Sequence, residues 1–101
     1  MNEEQKAKKL EYLRSQKENP TGKYRRYLVN TYNYILNDSI GRGWSRARTR
    51  EMIDYVYEGN PDHMAYELVN KYKKTLKDLG YIKYVKENGE WHTHIVKELD
   101  F

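Results

Sequence analysis

The chain has no cysteine, only two prolines and a single phenylalanine. Without cysteine there is no disulfide framework and no thiolate zinc site, and the composition suits a reducing compartment, so a cytoplasmic location is expected. No apolar run approaches the roughly 20 residues a membrane helix needs, and the N-terminal residues are too polar for a secretory leader. Acidic residues are scarce in the middle of the chain. Residues 20–50 carry seven bases and one acid, Asp38, a net +6. Residues 1–19 carry +1 and residues 51–101 carry −3, which together give the overall +4. The positive field belongs to the middle segment, and that segment is where a polyanion would be met.

What is present is unusually aromatic. Eleven of the 101 residues are tyrosine. Disordered chains are poor in aromatics, so this one is expected to fold, as one domain with one modest core. Most of the tyrosines suit the edge of that core, with their hydroxyls reaching water.

The stretch from Asp62 to Val96 carries the clearest pattern. Asp62 follows Asn60-Pro61 and is placed to cap a helix. Ala65, Leu68, Val69, Tyr72, Leu76 and Leu79 recur at steps of three and four, which lines one helical face. Gly80 stands where a helix stops in the left-handed conformation. Tyr81–Lys86 then reads as a strand, Asn88-Gly89 as a two-residue hairpin turn, and Trp91–Val96 as the returning strand. Centring the turn on Asn88 and Gly89 sets Glu87 opposite Glu90, Lys86 opposite Trp91, Tyr84 opposite Thr93 and Ile82 opposite Ile95. Ile82, Tyr84, Trp91, Thr93 and Ile95 then share the better core face. Tyr81, Lys83, Val85, His92, His94 and Val96 share the other.

Upstream, residues 2–18 are helix-prone, with Asn2 as cap and a thin apolar stripe of Ala7, Leu10 and Leu13. That stripe suits either a solvated extension or a helix docked on the domain or on a second copy. Asn19-Pro20-Thr21-Gly22 breaks it. Residues 23–37 form a helix with Leu28, Tyr32 and Ile35 inward, Val29 and Leu36 widening the stripe, and Lys23, Arg25 and Arg26 in its first turn. Bases there oppose the helix dipole at a cost of about a few tenths of a kcal/mol each, so they are either ordinary solvated residues or phosphate contacts. Residues 37–45 hold Gly41 and Gly43 around Arg42, without the spacing of a nucleotide-binding loop. Trp44 is expected in the core or in a short strand. Thr49–Tyr57 reads as a short helix capped by Thr49, with Met52, Ile53 and Val56 inward. Glu58-Gly59-Asn60-Pro61 is a dense turn signal.

The order is helix, extended piece, helix, turn, longer helix, hairpin. With the run Tyr72, Leu76, Leu79, Gly80, Tyr81, Ile82, and Asn88-Gly89 as a wing tip, residues 23–97 resemble the winged helix-turn-helix family. The resemblance implies an α+β, mainly helical fold, with a three-helix core and a C-terminal β-hairpin wing. An N-terminal helical extension and linker (1–22) precedes the domain (23–101).

It also implies binding of double-stranded DNA, with the 62–79 helix in the major groove. Carried over residue by residue, His63, Tyr66, Glu67, Asn70, Lys71, Lys73 and Lys74 face the bases, and Asn70 is the adenine-type reader. Lys23, Arg25, Arg26, Arg42, Arg46, Arg48 and Arg50 meet phosphates. Lys83, Lys86 and Trp91 belong to the wing, although Glu87 and Glu90 make its tip acidic. The expected role is a small, phage-like transcriptional regulator, with a homodimer formed through residues 2–18 or the chain ends. Two alternatives share the fold: a module that engages a host protein, as a phage or mobile-element product would, and an accessory DNA-binding subunit in replication.

No enzyme is expected. Asp54, Glu58 and Asp62 cluster without a nucleophile or a glycine cradle. His92 and His94 share a strand face, but the sequence marks no third ligand, His63 being the only other histidine; neither metal nor cofactor is expected.

Overall fold

The computed structural model describes residues 1–19 and 22–101. Among them are helices α1 (Glu3–Ser15), α2 (Lys23–Asp38), α3 (Thr49–Val56) and α4 (Ala65–Asp78), followed by strands β1 (Ile82–Glu87) and β2 (Glu90–Ile95). The fold is α+β and mainly helical, with one two-stranded antiparallel sheet. No described helix is long and apolar enough to cross a membrane.

The core forms where α2, α3 and α4 pack together and meet the hairpin. Leu28, Tyr32 and Ile35 of α2, Met52 and Val56 of α3, and Ala65, Val69, Tyr72 and Leu76 of α4 are buried in it. These are the inward positions expected from the three-and-four spacing. Two departures occur in α2. Leu36 is exposed, and Thr31 is buried in full. Thr31 tolerates this because its hydroxyl donates to Tyr27 O at 2.8 Å within its own helix, so no donor is stranded.

Helix α4 begins at Ala65, two residues later than an Asp62 cap would place it. Asp62 spends its carboxylate locally: Oδ1 accepts the Met64 N–H at 2.7 Å, closing a small Asx-type turn ahead of the helix. At the other end Gly80 has φ +88°. Tyr81 N–H donates to Leu76 O at 2.9 Å and Gly80 N–H to Lys77 O at 3.0 Å, the paired bonds that satisfy the last carbonyls. Helix α3 closes in the same way, with Glu58 left-handed at φ +55° and Gly59 N–H on Asp54 O. Thr49 is the first residue of α3 rather than its cap. Arg48 occupies the cap position, and no side chain bonds there.

The hairpin register is the one expected, from Ile82 opposite Ile95 to Glu87 opposite Glu90. Asn88 and Gly89 both have positive φ, as a two-residue turn of this hand requires. Ile82 and Thr93 are buried on the core face, whereas Trp91 at its outer end is 60% exposed. Ser45 joins the sheet edge as an isolated bridge, exchanging both backbone bonds with Thr93 at 2.8 and 2.9 Å.

Asn2 caps α1 through a reciprocal pair with Gln5. Leu13 is fully buried, Leu10 packs partly, and Ala7 stays in solvent. The apolar stripe of α1 is thus turned onto the same chain. Of the break expected at 19–22, Pro20 and Thr21 lie outside the described residues. The segment after β2 also packs down. Phe101 is buried edge-on against Tyr81 (5.3 Å between centroids), and Tyr32 donates to Lys97 O at 3.0 Å.

Candidate nucleic-acid interface

The outward side of α4 is open. His63 and Tyr66 at its start, and Glu67, Asn70, Lys71 and Lys74 along it, are exposed. The start of α3 lies beside it. The Arg50 guanidinium stands 5.4 Å from the centre of the Tyr66 ring. Arg48, Thr49, Arg50, Glu51 and Tyr66 line one open cleft of about 360 Å³. Because α3 has no side-chain cap, its first amide groups and these two arginines share one surface.

Beneath that surface a relay joins the two helices. Lys73 Nζ donates to Ala47 O at 2.7 Å and to Thr49 Oγ1 at 3.0 Å, and Thr49 Oγ1 donates to Asn70 Oδ1. Lys73 is therefore a brace between α4 and the loop before α3, not an open contact. Burial pushes its ammonium below the ordinary lysine value. Asn70 is exposed, but its amide oxygen already accepts from Thr49, so the two-pronged adenine contact expected of it would share that oxygen with Thr49.

The loop ahead of α3 is held from several sides. Ser45 is fully buried; its hydroxyl donates to Asp38 Oδ2 at 2.6 Å and accepts the Ala47 N–H at 2.9 Å. Ala47 takes φ +46°, unusual for a residue with a Cβ, and is buried between these bonds and that of Lys73. Trp44 is not in the core. It is half-buried, stacked on His92 with ring centroids 3.5 Å apart and planes 7° from parallel, with the Arg42 and Arg46 guanidinium groups at 4.5 and 5.4 Å from its ring.

The remaining cations divide. Arg25 donates to Phe101 O at 2.8 Å and is half-buried, which ties it to the end of the chain. Arg26 pairs with Glu58, which also accepts from Asn30, and these bonds hold the Glu58 carboxyl below the usual carboxylate range. Arg42 pairs with Asp38 at 2.8 Å, and Arg46 with Glu90 at 2.5 Å. Arg48 stands 3.7 Å from Glu51, and Lys74 pairs with Asp78 at 2.7 Å. Lys23, Lys71 and Lys83 are exposed, and Lys86 lies 5.8 Å from the exposed Trp91 ring. Of the seven bases in residues 20–50, Arg26 and Arg46 are thus paired with carboxylates distant in sequence, which charge counting along the chain does not see, and Arg42 and Arg48 stand beside local ones.

His92 and His94 share a face, as expected, but the structure adds Glu87 to them. The signal was present in the register, which puts Glu87 on that face across the turn. His63 is not in the group. No family model, no curated protein and no solved structure matches this chain.

Proposed function

We propose that the chain is a winged helix-turn-helix protein that binds double-stranded DNA, with α4 in the major groove and the start of α3 on the phosphate backbone. The observation that carries the reading is the Arg50–Tyr66 contact, because it joins an uncapped, arginine-flanked helix start to the exposed face of α4. Free helix amides and guanidinium forks both favour phosphate, and a polar helix face beside them suits base edges. In this reading Arg48 and Arg50 position the duplex. Tyr66, Asn70, Lys71 and His63 meet the groove, while Lys73 holds the two helices in register. In this reading the protein acts as a small regulator, and a second copy would supply the second half-site.

Selection of bound duplexes from a random pool tests this directly. Recovery of a shared sequence supports it. Arg50→Ala should then weaken all duplexes alike and make the salt dependence shallower, whereas Lys71→Ala should alter the preferred sequence. Failure to retain any duplex at low salt overturns it.

One feature favours a different partner. The wing tip presents Trp91 in the open on one face and Glu87 with Glu90 on the other, an aromatic and acidic tip better suited to a basic protein than to a minor groove. A host protein that co-purifies through Trp91, with no duplex bound, would replace the DNA reading.

A further inference from the structure

The outer face of the hairpin contains a polar arrangement that the DNA reading does not use. His92 is 7% exposed, yet neither of its ring nitrogens has a hydrogen-bond partner among the described residues. The buried Nε2 of His94 is in the same condition. Burying an imidazole nitrogen without a partner is costly, so three such atoms on two neighbouring side chains of one face call for a ligand.

The carboxylates around them are suitably placed. Glu87 Oε2 lies 3.5 Å from His92 Nδ1, and Glu90 Oε2 lies 3.5 Å from His92 Nε2. One atom each from Glu87, His92 and His94 falls within 4.8 Å of the other two. A separation of 3.5 Å is long for a hydrogen bond. It is close to the roughly 3.3 Å that separates two ligands of one tetrahedral ion with bonds of about 2.0–2.1 Å.

We propose that Glu87, His92 and His94 form a binding site for a divalent transition-metal ion of the zinc class. Two imidazoles and one carboxylate are the donor set such ions take, and the hard ions magnesium and calcium prefer oxygen alone. His92 is the anchor. Its ring is pinned face to face on Trp44, so its nitrogens point in set directions at little entropic cost. Glu90, already held by Arg46, stands 3.5 Å from Nε2, placed to move in and accept an N–H bond from it once Nδ1 takes the ion. Glu87 is exposed and His94 half-buried, so both can turn the remaining distance inward. Lys83, opposite His94 across the strands, and Arg46, on Glu90, are cations near the site that oppose binding. The site ties the turn end of the hairpin together behind the His92–Trp44 stack, and a fourth position is left to water.

Titration of tag-free full chain with zinc chloride, followed by calorimetry and by Trp fluorescence with nickel as the quenching probe, tests the site. The expected result is one ion per chain. Glu87→Gln and His94→Ala, both at positions that the fold does not bury fully, should each weaken binding by about tenfold or more, while His63→Ala leaves it unchanged. Circular dichroism of the two variants shows that they remain folded, so a loss of binding belongs to the ligands. Absence of stoichiometric zinc binding by the wild-type chain, or binding that neither variant weakens, overturns the proposal. The outcome is independent of whether duplex DNA binds.

Discussion

At the scale of single residues, Ser45 does more than its size suggests. It links the end of α2, the edge of β2 and the left-handed Ala47 through side-chain and backbone bonds. Ser45→Ala would leave the buried Ala47 N–H without its acceptor, and a loss of about 1–3 kcal/mol is expected in urea unfolding. An unchanged midpoint would show that the loop holds without it. Glu58 gives a pH prediction. Its folded carboxyl sits below the ordinary 4.5 because of the hydrogen bond and charge of Arg26. A depressed acid contributes stability above its unfolded value and loses it as pH falls through the lower folded value. The melting temperature should therefore fall as the solution is acidified below about pH 4.5, and Glu58→Gln should flatten part of that slope. Parallel slopes for the two proteins would refute it. Neither residue's role was legible from sequence. Ser45 stood among breakers, and Glu58 read as part of a turn, because their partners lie on other elements.

At the scale of elements, sequence was a better guide. The stop at Gly80 and the turn at Asn88-Gly89 followed from which residues tolerate positive φ, a local property. No heavy atom would lie within 4 Å of a Cβ built on Gly80. Gly80→Ala should accordingly cost only the left-handed penalty, about 1–2 kcal/mol by thermal or chemical unfolding, with no repacking of the core. A much larger loss would mean that crowding, not backbone conformation, selects glycine there. The helix starts were less legible. Asp62 and Thr49 both have cap-forming side chains, but one closes a turn of its own and the other serves Asn70. A short polar side chain has several acceptors or donors within reach, and which one it takes depends on what the tertiary structure brings near.

For the whole molecule, the open question from sequence was whether α1 belongs to the domain. Leu13 answers it, being fully buried in the common core. Leu13→Ala should destabilise the entire domain by about 2–5 kcal/mol, in a single transition seen alike by far-UV and tyrosine signals. A separate early transition limited to helix content would mark α1 as an appendage. The tyrosines behave as a set at this scale too. Tyr24 meets Tyr72 edge-on at 5.9 Å, Tyr27 meets Tyr57 at 4.5 Å, and the Tyr57 and Tyr72 hydroxyls stand 3.4 Å apart. Burial raises the Tyr72 hydroxyl above its ordinary value, so it stays protonated and able to donate inside the core. Periodicity, turn chemistry and strand register were settled by the order of residues alone, since each depends on neighbours a few positions away. Folding in three dimensions alone decided that Arg26 and Arg46 are spent on Glu58 and Glu90 and that Trp44 lies on His92, because Coulomb and packing forces act through space between groups far apart along the chain.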